Sequence, residues 1–208
     1  MPYNAQDVRA AIQHLRRSDP TMKDIIRQVG PFTLKTHSDR FLLLVRSIIS
    51  QQISVGAAKS IMARLENAIA PAQISAEALS AFEPATLRPL GVSPQKAGYL
   101  VDLTQKTLAG DLQLAKASRM EDEAVIEHLI QVKGIGRWTA QMFLIFGLGR
   151  LDIMPHGDLG IQTAIRKSYG LRVNPKPKRI DQFASAWRPY CSIASWYLWQ
   201  SLDNNKPK

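Results

Sequence analysis

Two segments of the chain combine residue types and spacing that suit chemistry. The first is KGIGR at residues 133–137, which separates two segments of helical pattern. The second is Asp158, which ends a loop and precedes a helical pattern that begins near Leu159. The first amides of a helix suit a bound phosphate, and a carboxylate suits a developing positive charge. These two segments therefore suggest the binding of a phosphate and the stabilisation of a positive charge. The rest of the fold must hold both segments in position.

The glycine hairpin has a structural and a functional interpretation. Two glycines around Ile135 let the backbone turn tightly and approach another surface, while Ile135 plugs into the interior. Glycine also ends helices for structural reasons alone. The functional interpretation places a DNA phosphate at the first amides of the second helix, beside two basic side chains. The candidate phosphate-binding residues are Lys133, Gly134, Gly136, Arg137 and Thr139.

Asp158 likewise has two interpretations. It occupies the position of a helix N-cap, where aspartate is common for structural reasons. A helix N-terminus also favours the ionised carboxylate, which suits a group that faces a cation. The two roles are compatible with each other.

The remaining pattern predicts helices. Apolar residues recur at helical spacing, as in Val8, Ile12 and Leu15, and alternating strands with Asn-Gly or Asp-Gly turns are absent. The most apolar segment, residues 41–49, runs directly into Ser-Gln-Gln, so a core helix ends in a polar group. The basic, proline-rich residues 172–179 predict an exposed connection outside any element, either a solvated loop or a phosphate contact.

Composition narrows the class of protein. The formal charge is +10 and the pI is about 9.9, which favours an anionic partner such as nucleic acid. Cys191 is the only cysteine, which excludes an internal disulfide, a multi-cysteine zinc site and a four-cysteine iron–sulfur cluster. The first residues carry charges throughout and lack the apolar core typical of a signal peptide, and no later apolar run approaches the length of about 20 residues that spans a bilayer. We therefore expect a soluble protein of the cytoplasm, with no membrane partner.

KGIGRWTAQMFLI, a loop with a proline, and GDLGIQ together resemble the helix-hairpin-helix and Gly/Pro/Asp signature of the DNA glycosylase superfamily. Asp158 matches the catalytic aspartate of that family. Further segments resemble the alkylbase branch, which includes bacterial DNA-3-methyladenine glycosylase II: HLRRSDP, SIISQQISVGAA, LRPLGVSPQKAGYL and AWRPYCSIASWYLW.

The resemblance implies an all-α fold of two helical lobes with a DNA-binding cleft between them. The middle lobe would span residues 36–111, and residues 1–35 and 112–208 would form a terminal lobe that holds the hairpin and Asp158. An N-terminal β domain, which some relatives carry, is not expected.

The resemblance also implies an activity. We expect a monofunctional glycosylase of base excision repair that flips alkylated bases, of the 3-methyladenine and 7-methylguanine type, out of duplex DNA and hydrolyses their N-glycosidic bond. Asp158 would stabilise the oxocarbenium-like sugar. Trp138 occupies the place of the lysine that bifunctional relatives use for a Schiff base, so AP lyase activity is not expected.

The resemblance also assigns the family's base-pocket and wedge roles to the residues of this chain at the matching positions. Gln52 matches the wedge, the side chain that fills the gap left by a flipped nucleotide, and Gln51 is its neighbour. An aromatic residue at helical spacing can equally belong to the core, as Trp187 and Trp196 can, and His156 can be an ordinary loop histidine. The candidate base-pocket residues are Trp138, Met142, Trp199 and His156.

The resemblance implies no required cofactor, but a structural Na⁺ or K⁺ at the hairpin. Its ligands would be the backbone carbonyls of Ile130, Val132 and Ile135. The expected partner is damaged double-stranded DNA, bound by a monomer. Two alternatives stay open: a glycosylase for another lesion, such as uracil, hypoxanthine or ethenoadenine, and a non-catalytic helix-hairpin-helix module, against which GDLG argues.

Overall fold

The structure is a computed structural model that describes residues 3–204, and the regular elements of those residues are all helical, as predicted. Its α-helices within that range are α1 (Ala5–Ser18), α2 (Pro20–Val29), α3 (Arg40–Ser50), α4 (Val55–Ile69), α5 (Ala76–Leu79), α6 (Pro84–Leu87), α7 (Pro94–Ala109), α8 (Asp122–Ile130), α9 (Arg137–Phe143), α10 (Leu159–Ser168), α11 (Pro177–Ala184) and α12 (Cys191–Asn204). Short 3₁₀ segments cover Arg88–Leu90 and Ala117–Arg119, and a π-helical segment covers Leu144–Leu148.

Local sequence rules explain where many helices begin. Asp19 and Ser93 accept a hydrogen bond from the backbone N–H three residues later, and a proline follows each of them at the first helical position. A side-chain acceptor satisfies an amide that has no partner within the helix, and proline lacks the amide altogether. Asp158 caps α10 in the same way, as predicted.

The described residues form two compact units. Unit 1 comprises residues 3–36 and 144–204, and unit 2 comprises residues 37–143. In unit 1, α12 packs against α1, α2 and α10. Trp187 and Trp196 are buried in this core, which supports the structural interpretation of both residues.

Asp19 joins several parts of unit 1. Its side chain is buried and accepts hydrogen bonds from the N–H of Met22 at 3.0 Å and from Nε1 of Trp187 at 2.8 Å. The hydroxyl of Tyr169 donates a third hydrogen bond to it. A buried carboxylate is stable only when such donors replace water, so these contacts explain why Asp19 is tolerated in the core.

In unit 2, α3 is central. Its buried face packs against α4, α7 and α9, and α5 and α6 pack on α7. The hairpin formed by α8 and α9 belongs to this unit because α9 contacts α3. Unit 2 thus begins at residue 37, ends at residue 143 and includes the hairpin. The division into a middle lobe at residues 36–111 and a terminal lobe stays a prediction.

The predicted connection at residues 172–179 is only partly correct. Most of its residues are exposed, but the last three form the first turn of α11, which begins at Pro177. Proline is compatible with the first turn of a helix because the amide it lacks would have no helical partner. Within the described residues, no helix has the length and apolar character needed to cross a membrane.

Candidate functional site

Asp158 is held firmly at the N-terminus of α10 in unit 1. Only 8% of the residue is exposed, and its Oδ1 accepts a hydrogen bond from the N–H of Ile161 at 2.8 Å. The same oxygen accepts a second hydrogen bond from Nε1 of Trp199 at 2.9 Å. Two donors on one oxygen fix the direction of the carboxylate, and the positive end of the helix dipole lies beside it.

Trp199 and Gly160 make this geometry possible. The Trp199 ring stacks on Phe146, with ring centroids 5.7 Å apart. A Cβ atom on Gly160 would lie 3.0 Å from Oδ1 of Asp158 and 3.2 Å from Cδ1 of Trp199, which is too close for comfortable packing. Gly160 therefore leaves the space through which the indole reaches the carboxylate. The sequence places Gly160 within GDLG but does not reveal this role.

For the base-release activity that the sequence resemblance implies, we predict that Trp199→Phe lowers the single-turnover rate by about tenfold, because a hydrogen bond to a charged group is worth about 1.5 kcal/mol. Phenylalanine keeps an aromatic ring against Phe146 but cannot donate to Asp158. Quenched single-turnover assays on damaged duplex measure the rate. An unchanged rate would show that Trp199 acts only through its ring.

His156, also in unit 1, pairs with a residue of α11. Its Nε2 lies 2.6 Å from Oδ1 of Asp181, and its carbonyl accepts from Nε2 of Gln162 at 2.9 Å. These contacts order the loop before Asp158. A role of His156 in the base pocket stays a prediction.

In unit 2, a cavity of about 400 Å³ collects several predicted residues. Trp138, which is 46% exposed, and Met142 line it beside the turn that follows α3. Ser47 and Ser50 also line the cavity, and sequence reasoning missed them. The two serines are three residues apart on α3 and directly precede the two glutamines. This spacing places them on the same face of the helix and could have identified them from the sequence. The remaining lining residues are Gln51, Gln52, Gly134 and Thr139.

The two predicted wedge residues differ in environment. Gln52 is exposed and has φ = +56°, the only positive φ of a non-glycine residue within the described part of the chain. A left-handed conformation costs a non-glycine residue about 1 kcal/mol and often marks a functional site. Gln51 is half-buried and donates from Nε2 to the carbonyl of Gly134 at 2.9 Å. The structure thus links the turn to the hairpin.

The two glycines of the hairpin meet different surroundings. Gly134 has φ = +82°, and a Cβ atom there would collide with the ring of Tyr99. A Cβ atom on Gly136 would meet nothing within 4 Å among the described residues other than its own helix and chain neighbours, and Gly136 is exposed. Ile135 is buried between them, as predicted. The fold thus requires Gly134, whereas Gly136 keeps the backbone open to an external surface.

We predict opposite outcomes for alanine at these two positions. Gly134→Ala should lower the free energy of unfolding by about 2 kcal/mol, through backbone strain and overpacking. For the phosphate-binding role expected from the sequence, Gly136→Ala should leave thermal stability unchanged but raise the Kd for duplex DNA about tenfold, because the methyl group blocks the approach of a phosphate. Urea unfolding and fluorescence anisotropy measure the two quantities. If both variants lost the same free energy of unfolding, the structure would require the two glycines equally, and the prediction would be wrong.

The two basic residues of the hairpin are not equivalent. Arg137 forms a two-point ion pair with Glu123, at 2.6 and 2.7 Å, which lowers the pKa of Glu123 and raises that of Arg137. The Lys133 side chain is exposed, while its N–H donates to Oδ2 of Asp102 at 2.8 Å. Arg137 must share its charge with Glu123, so Lys133 is the stronger candidate for a phosphate contact.

The carbonyls predicted to bind a cation lie at the end of α8 and in the turn after it. The Val132 carbonyl accepts the N–H of Ile135 at 3.0 Å and closes that turn. Among residues 3–204, no group of three or more His, Cys, Asp or Glu side chains is arranged to hold a metal ion.

The chain matches the HhH-GPD superfamily of base excision DNA repair proteins over residues 45–189. It is 30% identical over 204 residues to the alkylbase DNA glycosidase-like protein mag2 of Schizosaccharomyces pombe, with 93% of each chain covered. The fold is similar to that of the 3-methyladenine DNA glycosylase Mag1 of the same yeast in complex with abasic DNA, with a TM-score of 0.82, 31% identity and coverage of 91% of this chain and 95% of that chain. It is also similar to a DNA-3-methyladenine glycosidase from Bacillus halodurans, with a TM-score of 0.81, 34% identity and coverage of 91% and 87%.

Proposed function

The chain belongs to the HhH-GPD superfamily of base excision DNA repair proteins, and from this premise we propose that it is a monofunctional glycosylase for alkylated bases. The observation that carries the proposal is the carboxylate of Asp158, held at the N-terminus of α10 by the N–H groups of Ile161 and Trp199. A binding module needs the hairpin but not an oriented carboxylate at this position. Relatives named for 3-methyladenine support the substrate class.

In the proposed reaction, the bond between C1′ of the sugar and the nitrogen of the base breaks with its electron pair on the base. Water then adds a hydroxyl group to C1′ and loses its remaining proton to solvent. The sugar becomes positively charged in the transition state, and the Asp158 carboxylate stabilises that charge. A base alkylated at a ring nitrogen already carries positive charge and leaves as a neutral base. Little protonation of the leaving group is therefore needed, which fits a site with one essential carboxylate.

Unit 2 would supply the contacts to DNA. We propose that Gln52 fills the gap left by the flipped nucleotide and that the amides which follow the exposed residue Gly136, with Lys133, hold a phosphate. Trp138 and Met142 would contact the flipped base, since an aromatic face attracts a cationic purine by about 0.5–2 kcal/mol. The half-exposed ring of Trp138 supports this assignment.

A monovalent cation at the hairpin is compatible with the donor set. The carbonyls of Ile130, Val132 and Ile135 are neutral oxygen ligands of the kind that bind Na⁺ or K⁺, and Ile130 is at the negative end of α8. A bound cation would add positive charge near a phosphate and needs no role in base release. That the protein acts as a monomer on double-stranded DNA in the cytoplasm is likewise part of the proposal.

Base release from methylated duplex DNA tests the activity. We expect free 3-methyladenine or 7-methylguanine by chromatography, with strand breaks only after alkali, because Trp138 replaces the lysine needed for an imine. Breaks before alkali would contradict the monofunctional mechanism. Binding to DNA without release of any of these bases would instead favour another lesion or the non-catalytic module.

A further inference from the structure

One face of α7 contacts both elements of unit 2 that we propose to bind DNA. Lys96, Tyr99 and Asp102 are spaced by three residues and share that face. Lys96 reaches the turn after α3, whereas Tyr99 and Asp102 reach the hairpin. None of the three has a place in the chemistry described above, although two of them lie in the segment LRPLGVSPQKAGYL.

Lys96 binds the C-terminal end of α3. Its Nζ donates to the carbonyl of Ile49 at 2.7 Å and to the carbonyl of Gln51 at 2.6 Å. The last carbonyls of a helix have no helical partner and carry partial negative charge, so an ammonium group suits them. Lys96 is half-buried, and burial lowers its pKa. The Gln51 carbonyl belongs to the peptide group that joins Gln51 to Gln52. Lys96 therefore fixes the orientation of the peptide group directly before Gln52, the residue with the left-handed conformation.

The other residues of the face hold the hairpin. The Tyr99 ring occupies the space that a side chain at position 134 would need. Asp102 accepts the Lys133 N–H through Oδ2 and Nζ of Lys106 through Oδ1, at 2.8 and 2.6 Å. Burial raises the pKa of Asp102, but these hydrogen bonds and charges outweigh burial and bring the pKa below its usual value. An ionised carboxylate therefore anchors the turn before α9.

Gln51 completes the arrangement. Its Nε2 donates to the Gly134 carbonyl, while its own carbonyl accepts from Lys96. The turn after α3, the hairpin and α7 are thus each joined to the other two by at least one direct contact. A shift of one element would strain both others.

We propose that Lys96 is a positioning residue that holds Gln52 in the conformation needed to enter the DNA stack, and that α7 sets the spacing between Gln52 and the phosphate-binding hairpin. Lys96 itself does not touch the DNA; it acts through the backbone of Gln51. The proposal rests on the proposed role of Gln52 as the wedge. It assigns a role to Lys96, for which the sequence analysis gives none.

The test uses a duplex with a tetrahydrofuran abasic analogue beside 2-aminopurine, whose fluorescence rises when its neighbour in the stack is disturbed. This readout does not require base release. For Lys96→Met we expect a rise at least about threefold smaller than for the wild type and a rate of base release from methylated duplex about tenfold lower, because small misplacements have large effects on rate. The Kd for undamaged duplex should stay within about twofold, since the hairpin is intact. Lys96→Arg should recover most of the signal.

Two controls make the outcome specific. Lys116→Met removes the same charge from an exposed position of unit 2 and should behave as the wild type. In a Gln52→Ala background, Lys96→Met should have little further effect, because both changes act on the same wedge. Full additivity, or a wild-type signal from Lys96→Met, would overturn the proposal. If Lys96→Met does not fold, Lys96→Gln replaces it with the same criteria.

The experiment also separates this proposal from the proposed function. A wild-type protein that raises the fluorescence of the abasic duplex but releases no methylated base would contradict the proposed alkylbase activity, and the fluorescence of Lys96→Met would still test the role of Lys96. A wild-type protein that releases base at the same rate as Lys96→Met would contradict only the role of Lys96.

Discussion

Replacing Asp158 with asparagine is expected to lower the single-turnover rate of base release by about 10³-fold, the size of effect found when one group that stabilises transition-state charge is removed. Asparagine retains an oxygen that can accept from the Ile161 N–H and the Trp199 indole, so both hydrogen bonds that fix the side chain can persist. It is also as good an N-cap as aspartate. The substitution therefore removes the negative charge with little effect on α10.

The prediction requires that binding and folding survive. The melting temperature and the Kd for an abasic duplex should stay close to the wild-type values, while release of methylated bases is lost. Asp39→Asn is the matched control, because Asp39 caps α3 through the same kind of hydrogen bond, 2.8 Å from the Leu42 N–H, on an exposed surface. If both variants release bases at the wild-type rate, the charge of Asp158 is not used and its role is only to cap the helix.

The sequence predicts the helix cap at Asp158 and the tight turn of the hairpin correctly because their signals are local. An N-cap and its helix lie within four residues, and a buried isoleucine between two glycines describes a tight turn without reference to the rest of the chain. The all-helical class follows from apolar periodicity for the same reason. Local sequence rules thus identify the site residues whose hydrogen-bond or packing partners lie only a few residues away in the chain.

Other features of the site depend on partners that are distant in the chain. Trp199 donates to a carboxylate 41 residues earlier, and the Lys96 ammonium binds carbonyls up to 47 residues earlier. A single sequence does not reveal such pairs, because many lysines and tryptophans fit the same local pattern. The sequence also does not reveal that the hairpin belongs to unit 2, because this depends on the contact between α9 and α3, which are distant in the chain. The pairing of Arg137 with Glu123, 14 residues earlier, also lay beyond a local reading.

Asp19→Ala is expected to be the most destabilising of the substitutions discussed, with a loss of about 4 kcal/mol in the free energy of unfolding. Loss of the cap of α2 contributes about 1 kcal/mol, and each buried or partly buried donor left without an acceptor costs about 1–3 kcal/mol. The donors are Nε1 of Trp187 and the hydroxyl of Tyr169. Burial and the hydrogen bond to Asp19 raise the pKa of Tyr169, so its phenol stays protonated and can donate. For a chain of this length the melting temperature should fall by about 10 °C.

Asp24, which lies on α2, is a control residue that carries the same charge as Asp19 but is not buried. Asp24 is 57% exposed in a surface ion pair with Arg27, so Asp24→Ala should cost no more than about 0.5 kcal/mol. Tyr169→Phe removes one of the donors, and its combination with Asp19→Ala should be less destabilising than the sum of the single changes. Calorimetry of the four variants measures these differences. Strict additivity would mean that the hydroxyl finds another partner when Asp19 is lost, and the cost of Asp19→Ala would then come from the cap and the Trp187 indole alone.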